Sequence, residues 1–351
     1  MIKTKVLTFL TVAAFVLNLS GLALADTRRT KKKVRQSNAL VSMLPASDGV
    51  ATFDVKRFFN DAMPKVLSAN QPMIAKIMSH ISQIESKTGI DLRKFEQVAA
   101  GINMKIGTAN KLSADPVVIA RGSFSSDALI STAKTAAEGE FREEKFGDRN
   151  VIIFAAKDEV KKNVPTASVP VSSDVVNSVI DGMPNEIAVT SLDSTTLVIG
   201  SPERVRQTLD RTTSVALEIS SLLSNSETAV CTFAMRVPDR MASIVDLDKD
   251  ELGENINSIK YLSGSMSVNT SGAVVSMMAR TARADQAKAL YDTLSGLKMI
   301  GEGFLGGSKK AEHKVMAKML KATTVTNRGN DISLVITVPQ EDINMLVATI
   351  K

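Results

Sequence analysis

The groups through which this 351-residue chain could do chemistry are few, and their spacing excludes most paired or clustered sites. Histidine occurs twice, at His80 and His313, with neither HxxxH nor HExxH spacing, so no helix carries a paired metal site. His80 falls on the polar flank of an amphipathic segment and His313 within a Lys-rich helix, Lys309 to Lys321; both read as surface residues. Cys231 is the sole cysteine, which excludes an intrachain disulfide, a CxxC pair and a thiolate zinc site. It lies in the mostly apolar run Thr228 to Phe233 with no base beside it, the setting of a buried strand cysteine rather than a nucleophile.

Other fragments of catalytic motifs fail on order or on one required residue. Ser131-Thr132-Ala133-Lys134 matches the SxxK of penicillin-recognising serine enzymes and Lys87-Thr88-Gly89 their KTG. The two occur in reverse order with no Ser-Asp-Asn between, and the second reads better as a helix end. Asp246-Leu247-Asp248-Lys249-Asp250 starts like a calcium loop. Its sixth position is Glu251 where glycine is needed, and its twelfth is Asn257 where a bidentate Glu belongs. Gly301 to Lys309 is glycine-rich, but Lys does not follow Gly306 directly and no buried strand leads in, so it reads as a flexible link between two helices. No catalytic, cofactor-binding or metal-binding residues emerge, and the expectation is a protein that is not an enzyme and carries no cofactor.

Few elements therefore have chemistry to position, and the clearer signal is architectural. Leu197-Val198-Ile199-Gly200-Ser201-Pro202 returns as Leu334-Val335-Ile336-Thr337-Val338-Pro339. Each reads as a short apolar strand running into a helix, with proline suited to the first helical turn. Two further blocks recur in the same order: Ala51 to Lys56 with Cys231 to Arg236, and Val118 to Gly122 with Met277 to Thr281. The turn Leu44 to Gly49 leads into a strand, Val50 to Val55, and then a helix through Phe58, Phe59, Met63 and Leu67 that Pro64 bends or splits. Ile74, Ile77, Met78, Ile81 and Ile84 recur at helical spacing, so Met73 to Lys87 is an amphipathic helix stopped by Gly89, its apolar stripe core rather than groove. Asp91 caps a short helix through Phe95; strands follow at Val98 to Met104 and Pro116 to Phe124, and Ser125-Ser126-Asp127 opens a helix. Hairpins are expected at Phe141 to Phe154 and Glu186 to Gly200, with a loop over Lys157 to Asp174. Helices are expected at Pro202 to Leu209, at Ser214 to Leu223 and around Ala287, Leu290, Leu294 and Leu297. This predicts an α+β fold of two related tandem halves, residues 44–212 and 213–351, each an antiparallel sheet with helices packed on one face.

The N-terminus predicts an address. Lys3 and Lys5 precede an apolar run, Val6 to Leu17, and Ala23-Leu24-Ala25 fits a small-x-small cleavage site, so residues 1–25 read as a secretory signal peptide cut after Ala25. Uncut, the same segment would anchor the chain in a membrane. Residues 26–43 form a basic flexible arm in which Arg28, Arg29, Lys31, Lys32, Lys33 and Arg35 could touch an anionic surface. Those six with Lys3 and Lys5 account for the net charge of +6, leaving a near-neutral body and no basic face for specific nucleic-acid binding. With no Trp and two Tyr, the chain is also poor in the residues that dominate carbohydrate sites and protein hot spots; its 16 Met suit an adaptable core.

The exported start, the Leu44-Pro45-Ala46-Ser47-Asp48-Gly49 turn, Ala120-Arg121-Gly122 and Leu197 to Glu203 together resemble uncharacterised exported bacterial proteins built of tandem α+β units. The resemblance implies no activity and supplies no catalytic residues. The expected role is binding or scaffolding in the periplasm or outside the cell, with an envelope protein as partner or, alternatively, an apolar ligand or lipid as cargo.

Overall fold

Three side-chain oxygens open helical turns, two of them, on Asp91 and Ser125, within stretches the sequence marks as helix starts. Asp91 Oδ1 accepts the Arg93 N–H at 3.0 Å, Ser125 Oγ that of Ala128 at 3.3 Å and Ser201 Oγ that of Arg204 at 3.2 Å. The computed structural model describes residues 36–106, 112–137, 140–155, 184–224, 226–239, 242, 251–308 and 311–348. In chain order the helices are α1 Gln36–Val41, α2 Val55–Arg57, α3 Met63–Val66, α4 Gln71–Thr88, α5 Ser126–Ala136 and α6 Pro202–Asp210. They continue with α7 Leu217–Ser220, α8 Glu251–Asn257, α9 Ala284–Gly306, α10 Ala311–Ala322 and α11 Gln340–Ala348. The strands are β1 Gly49–Asp54, β2 Phe95–Ile106, β3 Leu112–Gly122, β4 Phe141–Phe146, β5 Arg149–Ala155 and β6 Glu186–Asp193. The remainder are β7 Thr196–Gly200, β8 Ala229–Arg236, β9 Ile259–Asn269, β10 Gly272–Thr281, β11 Thr324–Arg328 and β12 Asp331–Pro339. The fold is α+β, with antiparallel pairing between neighbouring strands in each unit.

The chain divides into two units. The described residues of the first are 36–56 and 77–220, those of the second 57–76 and 221–348. In the first the strand order is β1-β2-β3-β7-β6-β5-β4, and in the second β8-β9-β10-β12-β11. Without the β4–β5 hairpin the two orders correspond strand for strand. The recurring sequence blocks meet in both, β3 beside β7 and β10 beside β12, but in different register. Ala120 faces Leu197, whereas Leu334 faces Met277, two residues away from Ala279. A slip of two residues leaves every side chain on its original face, which a slip of one would not.

Burial departs from the expectation of helices on one face only. In β3, Val117 to Ala120 are all buried, and so are Val151 to Phe154 in β5. Consecutive residues point to opposite faces, so these strands of the first unit are covered on both sides. In the second unit β9 alternates over its middle, with Ser263 and Ser265 buried between half-buried neighbours, before Ser267 and Val268 are both buried.

Local differences have local causes. The helix through Phe58 and Leu67 is interrupted by a π turn, Phe58–Ala62, directly before Pro64, where the Met63 N–H bonds to the Phe58 carbonyl. Proline offers no N–H to the carbonyl four residues back, and a wide turn absorbs that loss. The helix expected over Ser214 to Leu223 shrinks to the four residues of α7, leaving Leu217 76% exposed. The repeated prolines differ as well. Pro202 occupies the first turn of α6, while Pro339 closes β12 and the helix begins at Gln340. The glycine-rich stretch expected to be a link is helical as far as Gly306.

Candidate functional site

Two of the motifs that carried the resemblance, the Leu44 to Gly49 turn and the Leu197 to Glu203 block, meet at one buried side chain. Arg204, in the first turn of α6, is 1% exposed. Its guanidinium donates to the Ala46 carbonyl at 2.5 Å, to Ser47 Oγ at 2.6 Å and to Gln207 Oε1 at 3.2 Å. With its amide oriented to satisfy both neighbours, Asn103 accepts from the same Arg204 nitrogen at 3.1 Å and donates to the Ala46 carbonyl at 3.2 Å. Burial depresses the arginine's pKa, while Asp115 and Asp48 act in the opposite direction. Gly101 makes the approach possible, because a Cβ there would stand 2.5 Å from Ser47 Oγ. The Leu44 to Gly49 turn is thus clamped to the start of α6. The arrangement holds structure together: the cation is enclosed and its fork is occupied by protein acceptors.

The arginines of the second recurring block also do structural work. Arg280 makes a two-pronged bond to Asp331, at 2.6 and 2.8 Å. Arg121 donates to Thr196 Oγ1 at 3.1 Å and lies 4.0 Å from Asp193. In each unit the arginine is pinned near the turn of a neighbouring hairpin, at a half-exposed position where such pairs contribute little to stability.

The SxxK and KTG fragments are neighbours, since a Cβ on Gly89 would stand 3.6 Å from the Thr132 methyl, but the serine and lysine of SxxK are engaged elsewhere or turned to solvent. Ser131 is exposed on α5, and Lys134 of the same helix pairs with Glu143 at 2.9 Å. Gly89 terminates α4 with φ of +72°. His80 is exposed; His313 is half-buried, its Nδ1 2.9 Å from Ser308 Oγ. Cys231 is buried in β8, and burial pushes its thiol up to about 11. Among the described residues no group of three or more His, Cys, Asp or Glu is placed to hold a metal ion. The basic residues Arg28, Arg29, Lys31, Lys32, Lys33 and Arg35, the signal segment and the Asp246 to Asp250 run lie outside the described residues.

What the structure does present is an apolar surface. The first half of α9 is anchored: Ala287 and Leu290 are buried with Ile332, and Tyr291, Leu294 and Val325 pack around them. The second half carries its large side chains outward. Leu297 is 47% exposed, Met299 74%, Ile300 69% and Phe304 78%. Leu297, Ile300 and Phe304, three and four residues apart, form one stripe. The following helix, α10, packs closely on α9, where a Cβ on Gly301 would stand 2.9 Å from Leu320. It adds Met316, 47% exposed, and a row of exposed lysines at 314, 318 and 321. Lys318 reaches Asp342 at 3.1 Å. Isolated exposed apolar residues are ordinary; four within eight residues of one helix form a contiguous apolar patch. The spacing of Leu297, Ile300 and Phe304 is visible in the sequence, but the glycines among them mask the helix. Among the described residues no helix is long and apolar enough to cross a membrane.

No protein-family model matches the sequence, and no curated protein matches it. Two crystal forms of the Treponema pallidum protein TP0453 are similar in structure. Form I aligns over 88% of this chain and 96% of that one, with a TM-score of 0.42 and 9% identity. Form III aligns over 88% and 98%, with a TM-score of 0.41 and 8% identity.

Proposed function

We propose that the chain is an exported, non-enzymatic binding or scaffolding protein of the bacterial cell envelope, and that the outer end of the α9–α10 hairpin is its contact surface. The observation that carries this is the exposure of Leu297, Met299, Ile300 and Phe304 on a helix whose other half is fixed in a core. Fully burying a side chain of that size contributes about 1.5–3 kcal/mol, so a partner covering three of them recovers about 4.5–9 kcal/mol toward the cost of association. Export rests on the layout of residues 1–25; the arm expected over residues 26–43 ends in α1, where Leu40 and Val41 are buried, so the basic stretch Arg28 to Arg35 is the part that would meet anionic surfaces once the signal is cut. N-terminal sequencing of protein recovered from its source tests it: a mature chain beginning at Asp26 in the envelope or medium fits, and a cytoplasmic chain beginning at Met1 does not. Turnover in an unbiased hydrolase screen, abolished by one point substitution, would overturn the non-enzymatic reading.

A second reading, a carrier for an apolar ligand or lipid, draws on the exposed methionines of the same surface, Met299 and Met316. Native mass spectrometry of the purified protein separates the two, since a carrier retains lipid and a docking surface does not. We also read the two units as tandem copies of one design, supported by the matching strand orders and the three recurring blocks. Failure of β1, β2, β3, β7 and β6 to superimpose on β8, β9, β10, β12 and β11 would remove that reading.

A further inference from the structure

β11 is the end strand of the second unit's sheet and pairs on one side only, with β12. The two strands are joined by the two-residue turn Gly329-Asn330, with Gly329 at φ +60°. In such a hairpin the pair flanking the turn, Arg328 and Asp331, is hydrogen-bonded, and bonded pairs recur every second residue. Thr324, Thr326 and Arg328 therefore direct their backbone groups to β12. Those of Val325 and Asn327 point outward, and nothing among the described residues bonds to them.

Exposed sheet edges are usually guarded by charge, proline or a bulge. The end strand of the first unit follows that rule: β4 carries Arg142, Glu143, Glu144 and Lys145 in succession. β11 does not. It reads Thr-Val-Thr-Asn-Arg, with its one charge at the turn end, has no proline, pairs without a register shift, and begins with three residues that favour strands.

A groove runs beside this edge. Ala284, Lys288, Tyr291 and Asp292 of α9 form one wall, and Val325 and Asn327 the other; the volume is about 680 Å³. Lys288 and Asp292 neutralise each other at 2.6 Å, so the helix wall presents mainly Ala284 and the Tyr291 ring. The amide oxygen of Asn327 is buried and has no partner. On the opposite face of the strand, Arg328 is exposed and meets no carboxylate among the described residues.

We propose that β11 accepts an extended peptide of a partner protein as an added strand, with apolar side chains seated in the groove against α9 and an acidic residue on the outer face beside Arg328. The unpaired backbone of Val325 and Asn327 supplies the pairing, the groove selects alternate side chains, and the cross-strand charge sets the register. The five residues of β11 span about 17 Å, enough for a five-residue strand. This site is separate from the apolar end of α9 and stands or falls without it.

The test uses the full mature chain and fluorescein-labelled hexapeptides of the pattern Thr-X-Thr-X-Glu-Thr, with X as Val, Ile, Leu or Phe, followed by fluorescence anisotropy. At least one should bind, and hydrogen exchange should slow at the Val325 and Asn327 amides. Asn327→Pro removes an outward N–H together with the groove-lining side chain, at a position where an edge strand tolerates proline; compared with Asn327→Ala, which removes the side chain alone, it should weaken binding at least tenfold with an unchanged melting curve. Arg328→Glu should invert the preference between the Glu peptides and matched Lys peptides. The proposal is overturned if none of the four peptides binds at millimolar concentration, or if Asn327→Pro binds as well as Asn327→Ala. It is also overturned if sedimentation shows a dimer that Asn327→Pro dissolves, which would assign the edge to a second copy.

Discussion

Replacing Arg204 by Met tests the clamp at the centre of the first unit. The substitution keeps volume and removes four donated hydrogen bonds, to Ala46, Ser47, Gln207 and Asn103. Not all of the acceptors are stranded. The Ala46 carbonyl retains the Asn103 amide, and Gln207 is half-buried and can turn to water. Ser47 is buried; its hydroxyl still donates to the Pro45 carbonyl at 2.9 Å but loses the cation it accepts from. Each orphaned buried acceptor costs roughly 1–3 kcal/mol. Against this, the variant no longer encloses a charge whose Nε has no partner, which returns part of the desolvation cost. The balance is a loss of about 2–4 kcal/mol. In urea, at a slope of about 1–3 kcal/mol per molar, the midpoint followed by circular dichroism should fall on the order of 1 M. Ser47→Ala in a double-mutant cycle should show a coupling of about 1–2 kcal/mol with Arg204. Arg206→Met is the control: that side chain is exposed, 3.4 Å from Glu203 and stacked over Phe146, and should cost about 1 kcal/mol or less. A loss under about 0.5 kcal/mol for Arg204→Met, or strict additivity with Ser47→Ala, would refute the clamp.

Gly101→Ala should destabilise the same turn by about 1–3 kcal/mol, since the new Cβ meets Ser47 Oγ at 2.5 Å with buried neighbours behind it; a melting temperature equal to the parent's would contradict the close approach. Cys231 should resist alkylation at pH 8 until the chain unfolds. Its folded pKa of about 11 lies above the ordinary thiol value of 9.0, so the unfolded state releases the proton first. The contribution is intact below pH 9 and is lost as pH rises toward 11, by about 3 kcal/mol at most. Cys231→Ala should flatten that stretch of the stability profile, and an unchanged slope would count against it. Ile300→Asp with Phe304→Asp should reduce retention on a phenyl column and binding of an apolar dye, while stability changes by about 0.5 kcal/mol or less; a large loss of stability would mean the stripe is core after all.

Local chemistry explains where the sequence-based expectations and the structure agree. The caps at Asp91 and Ser125 depend on a side chain and an N–H two or three residues away, and each forms. The hairpins of β4–β5 and β6–β7 need only alternation and turn residues, and the buried state of Cys231 follows from an apolar run. The extent of α9 is hidden for a related reason. Glycine is the poorest helix former after proline, so Gly301, Gly303 and Gly306 argue for a link. Packing against α10, where Gly301 admits Leu320, outweighs that preference.

Sequence alone determined the α+β class, the order of strands and helices, the recurring blocks and the lack of any complete catalytic motif, because each depends on residues close together in the chain. Tertiary structure decided what the motifs are for. Arg204 meets Ala46 and Ser47 across more than 150 residues of chain, and no local pattern distinguishes a buried arginine from a surface one. It also decided that Ile300 and Phe304 face outward and that the backbone of β11 is unpaired. Exposure is a property of what else packs nearby, and that is settled only when the distant parts of the chain are in place.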